Sequence, residues 1–225
     1  MFDAHLHVID PRFPLTPNQG YLPGVFTVND YLRRVTSLGV TGGAVVSGSF
    51  QGFDQTYLLD ALGRLGPSFV GVTQLPVSVP DEEILRLHAA GVRAVRFNLY
   101  QGGSEGLTNL EHLSRRIHEV AGWHVELYVD SGQLVELEGA LVRLPRVSVD
   151  HFGLSGSGFG TLLRLAEQGV RVKATGFGRI DFDPRAAMRE ICAANPDALL
   201  FGTDLPSTRA GDPSGTRTWR QWWRR

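Results

Sequence analysis

The segment Asp3-Ala4-His5-Leu6-His7 places two imidazoles at i and i+2. In an extended strand they share one face, about 6–7 Å apart along the chain, and can converge on one metal ion or one substrate atom. A lone buried histidine is an ordinary structural residue. A pair that opens a chain of alternating strands and helices points to chemistry instead. Val149-Asp150-His151-Phe152-Gly153 sets a third imidazole at the end of an expected strand, and Leu200-Phe201-Gly202-Thr203-Asp204-Leu205-Pro206 sets a carboxylate at the mouth of the last one. An aspartate there often only turns the chain. Beside His5 and His7 it can act as metal ligand, general base or both. Arg96 with Asn98 and Tyr100, and Arg179 further on, can hold a substrate carboxylate through paired hydrogen bonds, or form interior ion pairs. Lys173 lies early in its strand and reads as structural. His88, His112 and His118 fall in expected helices, and His124 begins a strand at the end away from catalysis.

Bringing these residues together requires strands that end on one face. Short apolar runs suited to buried strands recur at residues 2–8, 43–49, 69–75, 94–100, 124–130, 147–152, 172–178 and 199–204. Helical patterns fill the intervals at 29–38, 54–65, 81–90, 110–120, 133–144, 161–168 and 184–194. Strict alternation implies parallel strands joined by crossover helices, hence an α/β chain folded as a (β/α)8 TIM barrel. Asp81 and Asp183 are expected helix N-caps, with Gly91 and Gly169 closing helices. One strand face is repeatedly polar: His5 and His7; Ser47 and Ser49; Arg96, Asn98 and Tyr100; Glu126, Tyr128 and Asp130. Each such group left unsatisfied in the interior costs about 1–3 kcal/mol, so a polar funnel that meets a ligand explains the pattern best.

Two stretches break the rhythm. Residues 9–28, rich in proline and glycine, form a loop long enough to act as a lid over the histidine pair. After Pro206 the final covering helix is truncated or replaced, so residues 1–210 are expected as a single barrel domain and 211–225 as an atypical tail. Trp219, Trp222 and Trp223 in that tail suit the seam between the eighth and first strands, or a homo-oligomer contact through it.

The chain of 225 residues carries a net charge of −1, which gives no footprint for nucleic acid or an anionic membrane and leaves a small molecule as the expected partner. Its one cysteine, Cys192, cannot form an internal disulfide, and no leader-like segment precedes Asp3; a cytoplasmic location is expected. Of its 22 basic residues only Lys173 is lysine.

With these motifs placed, the chain resembles the amidohydrolase superfamily, in the amidohydrolase-2 branch of the 2-pyrone-4,6-dicarboxylate lactonase type. The likeness runs from Asp3 to about Arg209 through the His5-x-His7 segment, Val95-Arg96-Phe97-Asn98, the His151 segment and the Asp204 segment. It implies a hydrolase that cleaves a lactone or carboxylic ester of a small carboxylate substrate. Asp204 would activate the water, and His5, His7 and His151 would polarise the carbonyl. Ser49, Asn98 and Tyr128 would contact the substrate, and Arg96 and Arg179 its carboxylates. After Arg209, where relatives continue into a final helix, this chain departs from the pattern.

Many amidohydrolases hold one or two divalent ions. Here the fourth strand offers Arg96 in place of a bridging lysine, and the fifth offers Tyr128 and Asp130 in place of a histidine. The resemblance to the lactonase branch favours no metal. The alternative is a single Zn2+ or Mn2+ on His5, His7 and Asp204, completed by His151 or Asp130. Three competing functions remain: a metal-dependent decarboxylase or other lyase, a Schiff-base aldolase through Lys173, and a truncated, non-catalytic barrel.

Overall fold

A computed structural model describes residues 1–208 of the chain. Eight strands run in parallel and in chain order: β1 (Phe2–Leu6), β2 (Gly42–Val46), β3 (Phe69–Thr73), β4 (Val92–Asn98), β5 (His124–Tyr128), β6 (Val147–Val149), β7 (Arg171–Ala174) and β8 (Leu199–Phe201). The seam between β8 and β1 is closed just beyond β8, where Asp204 N–H donates to His5 O and His7 N–H to Leu205 O, both at 2.8 Å. Seven helices connect the strands: α1 (Val28–Val35), α2 (Thr56–Leu65), α3 (Asp81–Ala89), α4 (Leu110–Ala121), α5 (Ser131–Leu141), α6 (Phe159–Glu167) and α7 (Pro184–Ala194). This is the (β/α)8 barrel, and among the described residues no helix follows β8. The expected tail at 211–225, with its seam-covering tryptophans, lies outside the described residues. Among those described, no helix is long and apolar enough to cross a membrane.

Local chemistry explains the elements. Thr27 and Asp30 form a reciprocal capping box at the start of α1, whose Val28, Tyr31 and Val35 face inward. Asp183 caps α7 through Arg185 N–H ahead of Pro184, as expected. Asp81 is no cap: Pro80 occupies that position, and the Asp81 carboxylate, already in the first turn, binds Arg116.

Two expectations about strand faces are corrected. β2 ends at Val46, and its inward residues are Ala44 and Val46, which pack with Val72 and Ala94 in a small apolar cluster of their own. Ser47 follows the parity of Val45, and its hydroxyl meets Tyr57 of α2 at 2.6 Å. Ser49 lies in a 3-10 turn beyond the strand. β4 likewise ends at Asn98, so Tyr100 escapes the funnel and is half exposed.

The loop at 9–28 is ordered by its own contacts. Ile9 and Phe26 pair their backbones, Arg12 holds Asp10 and Asp60, and Gln19 Nε2 reaches Gln101 O at 3.1 Å, across on the β4–α4 loop.

Candidate active site

β1 delivers His5 and His7 to the barrel interior, where both are buried. His151 and Asp204 follow β6 and β8, and each has positive φ, 50° and 56°. Non-glycine residues in this region store strain that the surrounding fold must support, and such strain clusters at working sites. Close backbone approach makes the arrangement possible. A Cβ on Gly202 would lie 2.8 Å from His5 Cβ, and one on Gly176 would lie 2.7 Å from His151 Nδ1, so neither position admits a side chain without displacement.

The four side chains converge on one atom. Asp204 Oδ1 lies 3.8 Å from His5 Nε2, 3.7 Å from His7 Nε2 and 3.9 Å from His151 Nε2. It is buried without a hydrogen-bond partner among the described residues, while Oδ2 accepts from Arg179 Nη2 at 2.9 Å. Burial opposes ionisation of Asp204, yet the Arg179 charge holds its carboxyl far below the usual range. Burial pushes His151 down to about 3 and His5 well below its ordinary value. The centre is therefore an ionised carboxylate ringed by imidazoles, of which His5 and His151 are neutral.

A cavity opens on this centre, lined by His7, His151 and all five residues expected to meet substrate: Ser49, Arg96, Asn98, Tyr128 and Arg179. Gly48, Phe50, Gln101 and Thr208 complete its wall; Phe50 and Gln101, which the sequence did not single out, reach it from loops. Its volume, about 20 Å3, suits a water molecule, so the surrounding loops must give way to a substrate. Tyr128 packs edge-on against His151 with centroids 5.1 Å apart and lies under the Arg96 guanidinium. Asn98 Oδ1 accepts from Gln101 N–H and so shapes the β4–α4 turn. Arg96 directs Nε and Nη2 to Asp150 Oδ2 at 3.0 and 2.7 Å and Nη1 to Ser47 O, so it combines a place in the wall with an interior ion pair. Arg179 also donates to Tyr128 and Thr208 O, and its buried Nε has no partner among the described residues.

Asp130 does not join the group. Its carboxylate caps α5 through Gly132 N–H and accepts from Ser155, which excludes it from the ligand set in which it was an alternative.

Beneath His5 lies a second layer that the sequence displayed only in pieces. Glu126, Asp150, Arg96 and Lys173 are buried together, with Lys173 Nζ on Glu126 Oε2 and Arg96 on Asp150. Burial and the Asp150 charge push Glu126 up to about 7 against the pull of Lys173 and Arg96. For Asp150 burial acts the same way, but the cations prevail and hold it well below the usual carboxylate range.

Residues 2–221 match the Amidohydro_2 family, described as amidohydrolases. The chain belongs to this family. It is thus an enzyme of hydrolase type. The amidohydrolase is 29% identical over 238 residues to 2-pyrone-4,6-dicarbaxylate hydrolase of Comamonas testosteroni, an alignment that covers 93% of this chain and 78% of the relative. It is 29% identical over 235 residues to 4-sulfomuconolactone hydrolase of Rhizobium radiobacter, covering 94% and 77%. Among solved structures, a putative 2-pyrone-4,6-dicarboxylic acid hydrolase from Pseudomonas putida superimposes with a TM-score of 0.81 at 27% identity, covering 98% of this chain and 89% of that one.

Among the described residues, two groups have donors close enough to hold a divalent ion: His5, His7 and Asp204, and His5, Asp150 and His151. The first fits the ion's needs. It offers two imidazole nitrogens 3.3 Å apart and an orphaned carboxylate oxygen. In the second, Arg96 and Lys173 already neutralise Asp150.

Proposed function

We propose that this amidohydrolase opens a small lactone, or cleaves a related carboxylic ester, whose substrate carries a carboxylate. The observation that carries the reading is the unpartnered Asp204 Oδ1 within 3.9 Å of three imidazole nitrogens, behind a cavity whose wall includes His7, His151 and the Arg179 guanidinium. The names of the relatives supply the substrate class: a pyrone is a ring ester, and a muconolactone is a lactone.

In the reaction, Asp204 takes a proton from the attacking water, and the carbonyl oxygen receives hydrogen bonds from imidazole N–H groups. His7 differs from the other two. Its Nδ1 lies 2.7 Å from Val46 O, which can only accept, so in the neutral ring Nε2 presents a lone pair that can hold the water or His5. Arg179 pairs with Asp204 in the free enzyme. A substrate carboxylate that draws Arg179 away leaves Asp204 a stronger base, so binding itself primes the attack. Ser49, Asn98, Arg96 and Tyr128 complete the substrate wall.

Replacing Asp204 by Asn tests this. Across a panel of carboxylate-bearing lactones, turnover should fall about 10³-fold or more while circular dichroism shows the variant still folded. Turnover within about tenfold of the wild type would remove Asp204 from the role of base.

The orphaned carboxylate also favours a second reading, in which His5, His7 and Asp204, with His151 beside them, hold one Zn2+ or Mn2+. Such an ion would lower the pKa of a bound water. Elemental analysis of protein purified without chelators, paired with an assay for CO2 release, separates that reading and its lyase variant from the first.

A further inference from the structure

Lys173 is the one lysine among 22 basic residues, and it lies in the deepest layer of the site, almost wholly buried. Its ammonium pairs with Glu126 and stands 3.3 Å from His5 Nδ1. Asp150 Oδ1 stands at the same distance, 3.3 Å, from the same ring nitrogen. An ammonium can only donate and a carboxylate can only accept, so the two compete for one atom and impose opposite tautomers on the ring. Donation by Lys173 leaves the proton of His5 on Nε2. Acceptance by Asp150 would put it on Nδ1 and turn the Nε2 lone pair into the site.

The far side of the ring decides between them. His5 Nε2 faces His7 Nε2 at 3.3 Å, and His7, tied through Nδ1 to Val46 O, shows a lone pair there. Unless an ion bridges them, two lone pairs at that separation repel, whereas an N–H against a lone pair is a hydrogen bond. One continuous chain satisfies every member: Lys173 Nζ donates to His5 Nδ1, His5 Nε2 to His7 Nε2, and His7 Nδ1 to Val46 O. Asp150 Oδ1 then has no hydrogen-bond partner among the described residues and is balanced by the Lys173 ammonium at 3.5 Å, while Oδ2 keeps Arg96.

We propose that Lys173 is a positioning residue that selects the Nε2–H tautomer of His5, making that nitrogen a hydrogen-bond donor and withholding it as a metal ligand. This rests on His5, His7 and Asp204 being the reaction centre. It adds that the choice between hydrogen-bond and metal chemistry in this site is made one layer below it, by a lysine that touches neither substrate nor metal. Without Lys173, Asp150 takes the Nδ1 proton, and lone pairs on His5 and His7 converge with Asp204 Oδ1 into a three-donor set for a divalent ion.

The test needs no substrate, so it stands or falls apart from the lactone reading. Protein labelled with 15N-histidine is compared with Lys173→Met by long-range 1H–15N spectra, with the His5 signals identified from their loss in His5→Gln. The wild type should show His5 protonated at Nε2, and Lys173→Met should show it at Nδ1. In parallel, Zn2+ affinity measured by competition with a chelating dye should rise about tenfold or more in Lys173→Met, the scale on which residues behind a ligand act. Because removing one cation from the interior can compromise folding, Lys173→Met/Glu126→Gln, which restores charge balance, is measured alongside and should behave as the single variant does. A wild-type His5 protonated at Nδ1, a tautomer unchanged in both variants, or an unchanged Zn2+ affinity would each overturn the proposal.

Discussion

The interior of this barrel is divided between two kinds of matter. On β2, β3 and the start of β4 it is filled by Ala44, Val46, Val72 and Ala94, small apolar residues that need only fit. On β1, β5, β7 and the residue after β6, joined by Arg96 from further along β4, it holds His5, Glu126, Lys173, Asp150 and Arg96, a buried set whose members compensate one another. The apolar half stabilises the fold in proportion to area removed from water. The charged half adds little net stability, because desolvation offsets most of what the ion pairs return. The mouth of the barrel follows the same division, since the strained backbone at His151, Phe152 and Asp204 adjoins the charged half. Stability and chemistry are thus assigned to different arcs of one wall.

Breaking the charged half should have the largest effect. Arg96→Met leaves Asp150 and Glu126 without their shared guanidinium, and chemical denaturation should show a loss of about 3–5 kcal/mol. A loss below about 1 kcal/mol would mean that this buried set is not held by mutual compensation.

Acid should expose the same half more gently. His151 is held at about 3 against 6.5 when unfolded, so between those values the unfolded chain binds the extra proton and stability falls as pH falls. At pH 5 that amounts to about 2 kcal/mol for this one histidine, and His5 acts in the same direction. Glu126, raised to about 7, acts oppositely: between 4.5 and 7 the folded protein holds the extra proton, so its contribution falls as pH rises through that window. Because Glu126 offsets much of the His151 loss, the change in melting temperature between pH 7.5 and 5 should be less favourable in the wild type than in His151→Gln. Equal slopes would separate His151 from the acid response.

The apolar half should give a smaller effect than the loss of Arg96. Val72→Ala removes two methyl groups at a buried position, a loss of about 1.5–2.5 kcal/mol with turnover unchanged. A fall in turnover with little loss of stability would join the two halves that the structure separates.

The division was partly legible in the sequence. Strand number and order followed from the β/α rhythm, and the His5-x-His7 pair and Asp204 stood out because parallel strands in a packed barrel are otherwise apolar. For Tyr100 and Asp130 parity was carried past the true strand ends, where the chain had already turned away. Ser47 shares the parity of Val45, so on β2 the polar alternates mark the helix-facing side and the apolar ones the interior. The layer beneath the site was harder to read. Lys173 and Glu126 each showed the right parity, but their meeting depends on the stagger between strands, which no single strand's sequence encodes. Lys173 accordingly read as structural, although its Nζ lies 3.3 Å from His5.

The most direct measurement of the central claim is one turnover in H2 18O on a carboxylate-bearing lactone, with the product analysed by mass spectrometry. Attack by water activated at Asp204 predicts one 18O in the new carboxyl group of the ring-opened acid. A ring-opened or rearranged product without the label would contradict hydrolysis at this site.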